Sequence, residues 1–203
     1  MKQLLCLLFS VMCWVSPVAA QEPVSPIPML EQTAHQIMSD LKTHHTELST
    51  HPEVLHAIVS RHLLPVVDVS GMARSVLGRQ AWQQATPAER QQFTDEFTRL
   101  VIRTYSSPLA EYTDEKVQFL PQRGPLDSHF SRVNSLIIRP NGQRIMLSYS
   151  LVAKDNHWKV YDLNVEGVSL LESFRAQFGQ ALQTDSLQAL IAKMHKNNQV
   201  QKG

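Results

Sequence analysis

The hydrophobic spacing of this chain switches from helical to strand intervals and back again, and that double switch limits the folds open to it. Phe93, Phe97, Leu100, Val101 and Tyr105 fall at i, i+4, i+7, i+8 and i+12, one face of a helix. From Lys116 the interval is two. Lys116 to Leu120 and Arg132 to Arg139 read as strands, and Asn141-Gly142 is a strong hairpin signal. Ile145, Leu147, Tyr149 and Leu151 then alternate with Met146, Ser148, Ser150 and Val152, an apolar face and a mixed one. Asp155-Asn156 turns the chain into His157–Leu171, HWKVYDLNVEGVSLL, a strand that runs straight into a helix. There Tyr161, Leu163 and Val165 alternate with Val160, Asp162 and Asn164 until Gly167 breaks the pattern. Strands bracketed by helices bury a sheet face under those helices. The expected class is α+β, an antiparallel sheet of about four strands cradled by N-terminal and C-terminal helices.

Ahead of the strands, Leu30, Ala34, Ile37, Leu41 and Leu48 fall near one helical face. Thr50-His51-Pro52-Glu53 has the form of a capping box with proline in the first turn. The helix it opens carries Leu55, Ile58, Val59 and Leu63 and is expected to stop at Pro65. Val66 to Gly78 reads as a short helix or loop with Val67, Met72, Val76 and Leu77 inward. Thr86-Pro87-Ala88-Glu89 repeats the capping pattern before the clearest helix, which Pro108 ends or kinks. After the strands come a stripe of Val168, Leu171, Phe174, Phe178 and Leu182, and a last helix capped by Thr184-Asp185 with Leu187, Leu190, Ile191 and Met194 inward. Residues 21–28 read as a flexible lead-in, 29–196 as one domain and 197–203 as a polar tail.

Residues 1–20 read as a secretory signal peptide. Lys2 precedes a short apolar run from Leu4 to Val15, and small residues precede a cut between Ala20 and Gln21. Met12 directly before Cys13 makes a poor lipidation site. Both cysteines, Cys6 and Cys13, leave with that segment, which excludes disulfide and thiolate chemistry from the remaining 183 of 203 residues. Only Lys2 is lost among the charges, leaving 18 basic against 18 acidic residues. A near-zero balance argues against nucleic acid or an electrostatic grip on anionic membrane. The expected product is a soluble periplasmic monomer.

Five of the nine histidines fall between His44 and His62, which raises a metal site. The spacing opposes it: His51, His56 and His62 are five and six apart, whereas one helix face needs three or four. Solvated surface histidines are the plain alternative. No G-x-S-x-G occurs, and no serine stands out as a nucleophile. An acid–base role has one better candidate, Asp162, with Asp68 and Glu166 behind it. Against it stands the reading that Asp162 faces the polar side of its strand or ties down the turn at Gly167. The apolar rows, with Tyr105, Tyr149 and Tyr161 adding phenolic edges, suit either a filled core or the wall of a ligand cavity.

Trp158 to Leu170, W-K-V-Y-D-L-N-V-E-G-V-S-L, resembles the signature of the MlaC (toluene-tolerance) family of periplasmic phospholipid-binding proteins. Two further blocks agree. Val76-Leu77-Gly78 with Trp82 and Ala85-Thr86-Pro87-Ala88-Glu89-Arg90 is similar to one family segment, and Leu63-Leu64-Pro65-Val66-Val67-Asp68 to another. The likeness runs from about His35 to Met194 and leaves the histidine-rich patch outside it. It implies a curved antiparallel sheet of NTF2-like type with the acyl chains of a glycerophospholipid between sheet and helices. It implies a carrier, not an enzyme, with lipid as cargo and no cofactor. The implied partners are an MlaA-like outer-membrane lipoprotein with its porin and an MlaD-like MCE protein of an inner-membrane ABC transporter, in a system that maintains outer-membrane lipid asymmetry. Each buried methylene is worth about 0.8 kcal/mol, so such a carrier needs apolar wall and few polar groups. Placed on the matched blocks, the expected lining is Val67, Met72 and Leu77 on one side and Phe97, Val101 and Tyr105 on another. Leu147, Tyr149, Tyr161, Leu163 and Val165 would line the sheet, with Val168 and Leu171 closing it. Should the strand alternation run the other way, Val160 and Val152 replace their neighbours. The competing reading of a different class is an NTF2-like enzyme acting on a small apolar ligand with Asp162 as base.

Overall fold

The computed structural model describes residues 25–112, 114–122, 127 and 129–200. The signal peptide expected at 1–20, the first part of the lead-in and residues 201–203 lie outside the described residues. Helix α1 (Ile27–Thr43) begins inside the expected lead-in, because Pro28 in its first turn has no N–H to satisfy. It buries Leu30, Thr33, Ile37 and Leu41. Leu48, expected on the same face, lies past the end of α1 and is buried from the following turns.

The first capping-box expectation fails. Thr50 Oγ1 is spent on Glu47 O at 3.3 Å and on His51 Nδ1 at 2.9 Å, and α2 (Pro52–Ile58) starts with no side-chain cap. Its helical path does not stop at Pro65 but loosens into a π-helical turn (Val59–Leu63) and tightens into a 3₁₀ turn (Leu64–Val66). Val67 then makes a parallel bridge to Val160. Asp68 caps α3 (Val69–Leu77) by accepting from Gly71 N at 3.2 Å. A side chain on residue 71 would meet that carboxylate at 2.1 Å, which is why glycine stands there. A short α4 (Arg79–Gln84) follows Gly78, whose φ of 78° suits glycine. The second capping box is real: Glu89 N donates to Thr86 Oγ1 at 3.2 Å, Thr86 N donates to Glu89 Oε2 at 2.8 Å, and α5 (Pro87–Leu109) runs from there. Pro108 sits in its last turn, near the end it was expected to make.

Five strands form one antiparallel sheet in the order β1 (Lys116–Phe119), β2 (Phe130–Ile138), β3 (Arg144–Lys154), β4 (His157–Val165), β5 (Val168–Ser169). The fifth is two residues long and was not expected. Asn141-Gly142 turns β2 into β3, with Gly142 at φ 84°, and Asp155-Asn156 turns β3 into β4 with both residues at positive φ. Helix α6 (Leu170–Ala181) leaves β5 directly. Helix α7 (Leu187–Val200) is capped by Ser186 Oγ, which accepts from Ala189 N at 3.2 Å, and not by Thr184-Asp185. It carries the first residues of the expected tail, because Asn198 is anchored on α5 through Glu96.

Helix α3 packs on α5 and α6, α7 lies along α5, and α6 and α3 lie on β4. Between them is the main core, with Phe93, Phe97, Phe174 and Phe178 at its centre. The Phe97–Phe174 and Phe93–Phe178 rings meet edge to face at 5.4 and 5.7 Å. A second cluster, Ile37, Leu41, Leu48, Leu55, Ile58 and Tyr112, holds α1 and α2 against the end of α5.

Candidate functional site

Directly opposed residues in an antiparallel pair share a face, so the register defines the inner wall of the sheet. Tyr149 is opposed by Val133 and Leu163, and Leu147 by Ser135 and Val165. Leu151 is opposed by Val160, and Phe119 by Ser135. The register shifts between Ser150 and Leu151, leaving Tyr161 unpaired in a β-bulge. The bulge corrects the expected alternation. Val160 joins the row of Leu163 and Val165, and Val152 does not, being opposed by Phe130 and Lys159. Tyr161 leaves that row and meets the exposed ring of Phe130 edge-on at 6.5 Å.

The expected lining residues separate into distinct groups. Val67, Met72, Leu77, Phe97, Val101 and Leu171 come together in the packed main core, with Phe97 and Val101 fully buried. Tyr105, Tyr149 and Tyr161 are half-buried against it. Leu147, Leu163 and Val165 cover the adjoining stretch of β3 and β4 and belong to neither packed cluster among the described residues. Val168 shares the face of Val165, its partner, but at the two-residue edge strand β5 it is left 59% exposed.

Tyr105 and Tyr149 decide what lies between sheet and helices. Burial raises both phenols, Tyr105 further through the charge of Asp162 and the nearness of Tyr149, and Tyr149 in spite of the lowering hydrogen bond with Ser135. Yet each keeps part of its surface accessible. Beside them the unclustered Leu147, Leu163 and Val165 continue an apolar floor. Sequence reasoning missed Ser135, which is fully buried on this wall with its hydroxyl 3.1 Å from Tyr149 Oη. The hairpin centred on Asn141-Gly142 carries the signal that places it, since counting out from that turn sets Ser135 opposite Leu147.

Asp162 is fully engaged in structure. One oxygen accepts from Leu171 N at 3.0 Å at the start of α6, and the other from Ser169 Oγ at 2.8 Å. A carboxylate there also meets the positive end of the helix. Asp68 is likewise held, by Gly71 N and by Lys154 Nζ at 2.8 Å. His62 bonds Asp40 at 2.8 Å and His44 bonds Glu47 at 3.2 Å, and no group of three potential metal ligands gathers among the described residues. A groove of about 710 Å³ between α3, α4 and α6 carries Arg74, Arg79, Trp82 and Arg175, but it is open to solvent and lined by none of the expected residues.

A single curved antiparallel sheet covered by helices over an apolar, phenol-edged interior defines an α+β protein of curved-sheet type. The model of the MlaC protein family matches residues 31–196. The chain therefore belongs to the MlaC family. It is 30% identical over 177 residues to the intermembrane phospholipid transport system binding protein MlaC of Haemophilus influenzae, covering 85% of this chain and 82% of that one. It is 28% identical to the toluene tolerance protein ttg2D of Pseudomonas putida, over 82% and 75% of the two chains. A phospholipid-binding protein of Ralstonia solanacearum, solved in complex with a phospholipid, superposes with a TM-score of 0.78 at 25% identity, covering 87% of this chain and 98% of that one.

Proposed function

We propose that this chain is a non-enzymatic carrier of glycerophospholipid, holding the acyl tails between the sheet and the α3–α5–α6 layer. The observation that carries the reading is the partly accessible surface of Tyr105 and Tyr149 beside an apolar row, Leu147, Leu163 and Val165, that joins neither packed cluster among the described residues. The phospholipid complex of the Ralstonia relative and the transport system named for the Haemophilus relative support it. A soluble carrier must replace water with apolar wall along both tails, and a row of aliphatic side chains on one sheet face does so at about 25 cal/mol per Å² covered. The engagement of both Asp162 oxygens in the β4–α6 junction leaves that carboxylate a structural task and weakens the enzyme reading.

In this reading the protein works in the periplasm as a monomer, released by removal of residues 1–20. It shuttles lipid between an MlaA-like lipoprotein–porin complex of the outer membrane and an MlaD-like MCE protein of an inner-membrane ABC transporter, and so maintains outer-membrane asymmetry. The near-equal count of acidic and basic residues suits a cargo held by its tails.

Native mass spectrometry of protein purified from the periplasm without detergent tests the cargo. The expected result is a stoichiometric glycerophospholipid, with Leu163→Asp lowering occupancy several-fold while the fold still melts cooperatively. An apo mass with no uptake from vesicles overturns the carrier reading.

A further inference from the structure

We propose that Tyr105 and the Ser135–Tyr149 pair form a hydrogen-bonding seat for the two ester carbonyls of a diacyl lipid, so that the protein reads the linkage of the tails and not only their bulk. The inference rests on the carrier reading and adds a recognition chemistry to it.

The seat consists of three hydroxyls on an otherwise apolar wall. Ser135 on β2 is fully buried, and its Oγ lies 3.1 Å from Tyr149 Oη on β3. Either atom can be the donor, but one contact uses one hydrogen. The pair therefore keeps one O–H hydrogen with nowhere to go among the described residues. Tyr105, on α5, faces them closely enough to sense Tyr149 electrostatically. Its hydroxyl takes part in no hydrogen bond among the described residues, nor is it one of the sealed, unpartnered polar atoms, where only Gln122 Oε1 is found. It therefore keeps some accessible surface.

Two unspent donors thus edge the apolar row of Leu147, Leu163 and Val165, with the Phe119 ring 5.9 Å from that of Tyr149. An enclosed hydroxyl without an acceptor is unfavourable, so evolution of a purely apolar pocket would favour phenylalanine and alanine at these positions. Acyl chains offer no acceptor along their length. The ester carbonyls at their heads offer two, matched in number to the spare hydrogens. Asp162, whose charge reaches Tyr105, is opposed by Ser150 on the other face of the sheet and is already bound to Leu171 N and Ser169 Oγ; as an acceptor it cannot serve a carbonyl.

Full-length mature protein is stripped of lipid and offered vesicles holding equal amounts of diacyl and dialkyl-ether phosphatidylcholine of the same chain length. Native mass spectrometry then reads what is bound. The wild type is expected to favour the diacyl lipid by roughly three- to tenfold for each hydrogen bond formed. Tyr105→Phe and the double variant Ser135→Ala/Tyr149→Phe should each erode that preference, and whatever lipid the triple variant takes up should show none. Equal loading of the two lipids by the wild type, or a preference untouched in the triple variant, overturns the seat and leaves the carrier intact. Failure to load either lipid overturns the carrier reading, and the seat with it. Thermal melts of the variants distinguish lost recognition from lost fold.

Discussion

Glu96 shows how much one side chain can hold together without any pattern announcing it. Its side chain on α5 is only 7% exposed, and it receives Arg99, His195 Nδ1 at 2.7 Å and Asn198 Nδ2 at 2.7 Å, the last two from α7. Burial raises its carboxyl pKa, but Asn198, His195 and Arg99 together outweigh burial and leave the group titrating below the ordinary carboxylate range. A depressed folded-state pKa contributes stability that is fully present above the unfolded pKa and is lost as pH falls through the folded one. Glu96→Gln is therefore expected to cost about 1–3 kcal/mol at neutral pH. Melts taken from neutral pH downward should show the gap between variant and wild type closing only at the acid end. A gap independent of pH would mean that the carboxylate's charge does not matter. Asn198 looked like tail in the sequence because its partner lies 102 residues away.

At the scale of elements, two identical-looking signals part company. Thr50-Glu53 and Thr86-Glu89 both fit the capping-box spacing with proline after the first residue or two. Only the second closes, because Thr50 is drawn back by Glu47 and His51 while Thr86 is free to face its own helix. Thr86→Ala should lower stability by about 1 kcal/mol, and Thr50→Ala by much less. Denaturant melts of the two variants compare them directly, and equal losses would contradict the geometry. The strands were legible for a similar reason that the second box was. Asn141-Gly142 and Asp155-Asn156 fix the turns locally, and the turns fix the register. The bulge at Tyr161 was not legible, since a one-residue irregularity leaves apolar residues on both sides of it.

For the molecule as a whole, the two clusters are unequal. The main one joins the start of α1, α3, α5, α6, α7 and the sheet. The smaller one holds the rest of α1 and α2 on the end of α5 and meets the larger along α1 and at Leu63, in the π-helical turn. Local stability follows the amount of packed apolar surface. Amides of α2 are expected to exchange through openings of lower free energy than those of β2, β3 and β4, and mass-resolved hydrogen exchange measures this. Uniform protection across both would show one cooperative unit.

The sequence alone determined the α+β class, the hairpin turns, the faces of α5 and the family, because these rest on local spacing and on motifs that lie close together in the chain. Only the tertiary structure decided which apolar residues pack and which face open space. Phe97 and Tyr105 stand on the same helical stripe, yet one is sealed among Phe93, Phe174 and Phe178 while the other meets the hydroxyl-edged wall of β2 and β3. Ser135 drew no notice in the sequence and Val168 was expected to close the lining, for the same reason. A side chain's surroundings come from distant strands and helices, and hydrophobic spacing records which way a residue points but not what it meets there.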